Sequence, residues 1–79
     1  MSKPNRLEEH RTRLGVTQSQ LSRMSDVSVT TIARIERAKR TGSPYIRFRL
    51  LNALNRFADE EGHSEITIED LFPQDGHRP

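Results

Sequence analysis

The 79 residues predict one small domain over residues 1–79, and the formal net charge of +2 conceals +8 over residues 1–56 and −6 over residues 57–79. Cysteine is absent, which excludes disulfides and thiolate metal sites, and the three histidines (His10, His63 and His77) lack metal-ligand spacing, so we expect no metal and no cofactor. No apolar run reaches the ~20 residues of a membrane span and no signal-peptide pattern begins the chain, which favours a cytoplasmic protein.

The first two helices are predicted over residues 4–14 and from Thr17 to about Asp26. Pro4 suits a first helical turn, and Gly15 suits a C-terminal stop. Thr17 and Gln20 have the spacing of a capping box, in which each side chain accepts a hydrogen bond from the backbone N–H of the other. The second helix is therefore predicted to begin at a well-defined residue.

A third helix is predicted from Val29 to about Ala38, with Ser28 as its N-cap. Helical periodicity turns Ile32, Ile35 and Glu36 toward one side. The opposite side carries a second set, which we expect to be exposed: Val29, Thr30, Ala33, Arg34 and Arg37.

After a basic loop, Ser43-Pro44 is predicted to start the longest helix, over about 44–61. Its inward stripe is Ile46, Leu50, Ala53, Leu54 and Phe57. Phe48 and Leu51 lie off this stripe and are expected to add to the core, whereas Arg49 and Arg56 are expected to be solvated. Thr67 and Asp70 predict a cap for a last turn that ends at Leu71-Phe72, and residues 74–79 are expected to be a disordered tail.

Two short helices joined by a tight turn predict a helix-turn-helix over residues 17–37. Asp26 suits the turn position with positive φ, and Val27 suits the apolar plug between the helices. Small residues at the start of the third helix allow it to enter a major groove, and Arg34, one turn along, can bridge guanine O6 and N7. The predicted base-reading residues are Ser28, Val29, Thr30, Ala33 and Arg34.

The run Leu14-Gly15-Val16-Thr17-Gln18, followed by Leu21, Val27-Ser28, Thr31-Ile32 and Ile35-Glu36, resembles the phage repressor/Cro-type (Xre-type) helix-turn-helix regulators. The match is dense over residues 6–37 and looser over residues 44–72. The resemblance implies an all-α, compact, five-helix repressor-like domain whose third helix reads the bases of double-stranded DNA.

The resemblance also implies a set of phosphate contacts. Gln18, at the start of the second helix, is implied to contact a phosphate, and the loop after the third helix is implied to clamp the backbone through Lys39, Arg40, Thr41 and Ser43. Arg37 joins this set from the exposed side of the third helix, although Arg34 and Arg37 on their own also fit a plain solvated surface. Arg11 and Glu36, each a charge on an inward stripe, are implied to form a structural ion pair.

We therefore expect a sequence-specific transcriptional regulator, encoded by a bacterium or a phage, that represses as a homodimer on an inverted repeat. No histidine is placed to activate Ser28 as a nucleophile, so we expect no catalysis. Two alternatives stay open: the antitoxin of a toxin–antitoxin pair, and a protein-interaction module that has kept the fold without the DNA affinity.

The C-terminal part of the chain is the expected dimer surface. The end of the fourth helix and the segment Ile66–Phe72 carry more apolar residues than a short closing turn needs. The alternative is that Ile66, Ile68, Leu71 and Phe72 only close the core of the monomer.

Overall fold

The computed structural model describes residues 5–37 and 42–73, and within these ranges the chain forms five α-helices and no strand. The helices are α1 (Leu7–Arg13), α2 (Gln18–Ser25), α3 (Val29–Arg37), α4 (Pro44–Glu60) and α5 (Ile68–Leu71). The prediction of an all-α, five-helix fold is confirmed. Ala38, the loop residues Lys39, Arg40 and Thr41, and the predicted tail 74–79 lie outside the described residues.

The first helix begins later than predicted, at Leu7 rather than near Pro4, which lies outside the described residues. Asn5 accounts for this start, because its side-chain oxygen accepts the Leu7 N–H at 2.9 Å. The amide nitrogen of Asn5 donates to the carbonyl oxygen of Ile35 at 2.8 Å. A buried side chain that the prediction placed inside the first helix therefore precedes α1, pairs with its first backbone N–H and attaches it to α3.

The predicted caps of the other helices are present. Thr17 and Gln20 form both hydrogen bonds of a capping box at α2, and Thr67 and Asp70 do the same at α5. Ser43 caps α4 by accepting the Ile46 N–H. These bonds satisfy backbone donors that a helix start otherwise leaves unpaired, so the helix boundaries follow from local sequence.

The hydrophobic core takes apolar residues from all five helices and from the connections between them. Its buried members are Leu7, Val16, Leu21, Val27, Ile32, Ile35, Leu50, Leu51, Ala53, Leu54, Ala58, Ile66, Leu71 and Phe72. Leu51 is buried as predicted, but Phe48 is 52% exposed, so its prediction as a core residue is wrong. Phe48 lies on the side of α4 that faces away from the neighbouring helices.

Three of the four apolar residues predicted for the dimer surface, Ile66, Leu71 and Phe72, belong to the monomer core, which corrects the prediction for them, and the fourth, Ile68, is partly buried against that core. Ile66, Leu71 and Phe72 are at most 3% exposed, and burying each such side chain contributes about 1.5–3 kcal/mol. The side-chain amide of Asn55 forms two hydrogen bonds with the backbone of Ile66. Its oxygen accepts the Ile66 N–H at 2.7 Å, and its nitrogen donates to the Ile66 carbonyl at 2.9 Å. Ile66 precedes α5, Leu71 ends it and Phe72 follows it, so the chain on both sides of this four-residue helix contributes to the core.

No helix within residues 5–37 and 42–73 combines the length and the apolar character that crossing a membrane requires.

Candidate nucleic-acid interface

The outward side of α3 forms a shallow, open concavity. Its lining is the set predicted from periodicity: Val29, Thr30, Ala33, Arg34 and Arg37. The opposite side of α3 is buried through Ile32, Ile35 and Glu36, so the packing of one side fixes which residues the other side presents. We call these five residues the α3 outer face.

Two free guanidinium groups lie on the α3 outer face. Within the described ranges, neither Arg34 nor Arg37 forms a hydrogen bond or an ion pair, and both are exposed. Thr30 likewise has no side-chain partner there. Ser28 differs, because its hydroxyl accepts the Thr31 N–H at 3.1 Å and donates to the Thr31 hydroxyl at 2.8 Å. Ser28 is therefore engaged as the cap of α3.

The turn before α3 is held by both its backbone and its side chains. Asp26 adopts φ 62°, the left-handed conformation that the sequence required there. Val27 is 4% exposed and fills the space between α2 and α3. The Ser25 hydroxyl accepts the Val27 N–H at 3.2 Å. The angle at which α3 leaves the body of the protein is thus set by packing.

Arg49 also supports this turn, a role that the sequence did not reveal. Its Nε donates to the Ser25 carbonyl at 2.8 Å, and its guanidinium pairs with the Asp26 carboxylate at 3.2 Å. The same guanidinium lies over the Tyr45 ring, 5.2 Å from its centroid. Arg49 was expected to be solvated. Its partners on the turn are more than twenty residues away in the sequence, and helical periodicity indicates contacts only between residues a few positions apart.

A buried ion pair joins α1 to α3. Arg11 Nε donates to Glu36 Oε2 at 2.7 Å, and a second guanidinium nitrogen donates to Glu36 Oε1 at 3.2 Å. Arg11 also donates to the Val16 carbonyl at 2.9 Å. Glu36 is 3% exposed, and these bonds supply the partners that a buried carboxylate requires.

The same carboxylate positions Gln18 at the first turn of α2. Gln18 Nε2 donates to Glu36 Oε1 at 2.9 Å, and Gln18 is partly exposed. An amide NH₂ has two hydrogens, so one N–H remains for an external acceptor. The network therefore presents a pre-oriented donor beside the start of a helix, where the helix dipole favours an anion.

Comparison with known proteins identifies the family. A helix-turn-helix family model, of the Cro- and Xre-like type, matches residues 7–56, from the start of α1 into the second half of α4. The chain belongs to this family. No curated protein and no solved structure matches the chain in the corresponding comparisons. The resemblance carried by the motif residues is confirmed, and the protein is a DNA-binding helix-turn-helix regulator.

Among the remaining predicted phosphate contacts of this helix-turn-helix regulator, Ser43 lies at the start of α4, and Lys39, Arg40 and Thr41 lie outside the described residues. Ser43 is exposed, and its hydroxyl accepts the Ile46 N–H at 3.3 Å. Arg47 donates to the carbonyl of Gly42, which closes the end of the preceding loop onto α4. Gly42 has φ 85°, which favours glycine, and a Cβ at this position would lie 3.5 Å from the Ile35 side chain and 3.6 Å from that of Ile46.

Proposed function

We propose that this helix-turn-helix regulator is a homodimeric repressor that binds an inverted repeat in double-stranded DNA. The observation that carries the proposal is the α3 outer face, where small side chains and two unpaired guanidinium groups lie on the exposed side of the second helix of the motif. A helix in the major groove reads bases with residues of this kind.

Base reading is assigned to the first part of α3. The Arg34 guanidinium matches guanine O6 and N7, and its freedom from internal partners means that no hydrogen bond in the described protein must break first. Val29, 39% exposed, and the methyl group of Ala33 suit contact with a thymine methyl. Thr30 supplies a hydroxyl. Ser28, which caps the N-terminus of α3, is the first residue of the proposed base-reading surface.

Backbone contacts are assigned to residues on both sides of α3. Gln18 reaches a phosphate with the N–H that Glu36 leaves unused, and Arg37 contacts another from the last turn of α3. Ser43 and the loop residues Lys39, Arg40 and Thr41, which lie outside the described residues, complete the proposed clamp. Such contacts position the protein on the duplex without selecting a sequence.

Two copies are required for specificity. A single recognition helix reads only a few base pairs, and a genome offers about 10⁶–10⁹ competing sites. A symmetric pair of α3 outer faces reads two half-sites with inverted symmetry, about one helical turn apart. Repression follows when such an operator overlaps a promoter, because the bound protein then excludes the polymerase.

Selection of binding sites from a random DNA pool, followed by footprinting, tests the proposal. We expect enrichment of an inverted repeat and protection of both half-sites, and a reporter with this operator in its promoter should fall in expression when the protein is made. A pool without enrichment would favour the protein-interaction alternative instead. A saturated footprint over one asymmetric half-site would contradict the dimer, and a rise in reporter expression would contradict repression.

A further inference from the structure

The outward side of α4 carries two exposed aromatic residues, of which Tyr45 contacts Arg49 on the same helix and Phe48 has no assigned role. Tyr45 is 66% and Phe48 is 52% exposed, and the third large exposed hydrophobic residue of the described chain, Val29, belongs to the α3 outer face. Helical spacing aligns both aromatics with further exposed residues. We call the full stripe the α4 outer face: Tyr45, Phe48, Asn52, Arg56, Asp59 and Glu60.

The charges along α4 run against its own helix dipole. The first turn contains no acidic residue and the last turn no basic one, whereas Asp59 and Glu60 lie at the C-terminal end. A helix dipole favours anions at the N-terminus and cations at the C-terminus. Within the described residues, Arg56 and Asp59 also have no ion-pair partner. The α4 outer face is therefore aromatic and uncharged toward its N-terminal end, whereas Arg56 and the acidic residues Asp59 and Glu60 lie toward its C-terminal end.

We propose that this face binds the same face of a second copy, with the two α4 helices antiparallel and Asn52 near the two-fold axis. The inference rests on the homodimer of the proposed function and assigns its surface. Antiparallel pairing brings Asp59 and Glu60 of each copy beside the N-terminus of α4 in the other, where their charge is favourable. It also brings the Phe48 ring of each copy against the Arg56 guanidinium of the other, a cation–π arrangement.

Charge complementarity selects this occupant and this direction. A parallel pair would place acidic ends together and Arg56 against Arg56, which like-charge repulsion opposes. The α4 outer face shares no residue with the α3 outer face, so the pair does not use the base-reading side chains.

The contact is expected to be weak without DNA. A helix of 17 residues is about 25 Å long, and one face of it covers much less than the roughly 800 Å² per partner of a standard stable interface. We therefore expect association at high protein concentration and completion of the dimer on the operator.

Single cysteines test the arrangement directly, because the chain contains none. Under mild oxidation, Asn52→Cys should form a disulfide-linked dimer, since a residue near the two-fold axis meets its own copy. Tyr45→Cys and Asp59→Cys should each stay monomeric alone and crosslink when mixed. Ser19→Cys, exposed on α2, is the matched control. Crosslinking of Asn52→Cys no faster than this control, or of Tyr45→Cys with itself, would overturn the proposal.

A second variant measures the contribution of the aromatic residue. Phe48→Lys places a cation against Arg56 of the other copy, so the dimer dissociation constant measured by sedimentation should rise by roughly tenfold or more. Val29→Lys makes the same change to another exposed hydrophobic residue and should leave self-association unchanged. Equal dissociation constants for wild type and Phe48→Lys, with helical circular dichroism retained in both, would exclude the α4 outer face.

The footprint separates this inference from the proposed function. If the crosslinks fail and the wild-type footprint still covers two half-sites, the regulator is dimeric through another surface and only the present inference falls. If the footprint covers one half-site, the dimer of the proposed function falls with it.

Discussion

Arg34 and Arg37 carry the same charge on the same helix, yet we expect Arg34 to contact a base and Arg37 to contact a phosphate. Arg34 lies one turn after the small residues that begin α3, whereas Arg37 is the last residue of the helix. The first position suits the floor of the groove and the second suits its edge. Identical chemistry at the two positions makes the pair an internal control.

Replacing each arginine by alanine should separate base reading from phosphate contact. Arg34→Ala should cost about 1–3 kcal/mol of binding and relax the preference at one base position. Arg37→Ala should weaken binding to all sequences alike and reduce the salt slope by roughly one unit. Titrations against operator and scrambled duplexes at several salt concentrations measure both effects. An unchanged sequence preference for Arg34→Ala would contradict its assignment.

His10 is a buried titratable residue outside the proposed interface. Burial is the main cause that lowers its pKa from the ordinary 6.5, and the positive charges of Arg13 and Arg6 lower it further, while Glu9 and Asp70 oppose the shift. Its Nδ1 lies 3.0 Å from an Arg13 guanidinium nitrogen, and its Nε2 has no hydrogen-bond partner in the described part of the chain. The folded protein thus disfavours the protonated form of this imidazole, which lowers its pKa.

Stability should therefore fall as the pH drops below about 6.5. The unfolded chain takes up a proton on His10 in that range and the folded chain does not, so unfolding is favoured until the pH passes the lower pKa of the folded state. The lowered pKa values of Glu9 and Asp70 act only nearer their ordinary values of 4.5 and 3.8. Urea unfolding of wild type and His10→Gln between pH 7.5 and 5, analysed by linear extrapolation, measures how the free energy of unfolding of each protein changes with pH. Parallel pH profiles would contradict the role of His10.

Among the elements, α2 and α3 depend on contacts made from outside the motif. Glu36 connects α3 to Arg11 on α1 and to Gln18 on α2, and Arg49 connects the α2–α3 turn to α4. A helix-turn-helix of two short helices buries too little surface to be stable alone. The orientation of the α3 outer face is accordingly a property of at least four helices.

The Arg11–Glu36 pair should be strongly coupled. Arg11→Met alone or Glu36→Leu alone leaves a buried charge without its partner and should destabilise the fold by about 3–5 kcal/mol. The double variant should lose much less than the sum, since no buried charge then remains. Denaturation of all four proteins gives the coupling energy. Additive losses would show that the two residues do not interact energetically.

On the scale of the whole molecule, the proposed dimer sets the spacing of the operator. Two-fold symmetry places the two α3 outer faces on one side of the duplex, with half-site centres about 34–36 Å apart. Inserting half a helical turn, about five base pairs, between the half-sites rotates one of them to the opposite side.

Such an operator should therefore lose cooperative binding, while the isolated half-site affinity is retained. Gel-shift titrations of operators with zero and about five added base pairs test this, with a scrambled half-site as control. Equal affinity for the two operators would mean that the copies bind independently.

Local patterns in the sequence predicted much of the fold and the composition of the α3 outer face. Capping residues, the positive φ at Asp26 and the periodicity of α3 act over a few neighbouring residues, so they can be read from the chain directly. The boundary of α1 was missed because the Asn5 side chain, which accepts the Leu7 N–H, is also bonded to the carbonyl of Ile35, thirty residues away.

By itself, the sequence determined the five helices, the family and the residues that α3 turns outward, because each depends on short-range spacing and on residue type. Only the tertiary structure decided that Ile66, Leu71 and Phe72 close the monomer core and that Phe48 stays exposed. An apolar side chain buries itself equally well in its own core or against a second copy, so its sequence position cannot distinguish the two. Whether such a side chain is buried within the monomer depends on how much of the core the other helices cover. That coverage is determined by how the helices pack and not by the sequence near the side chain.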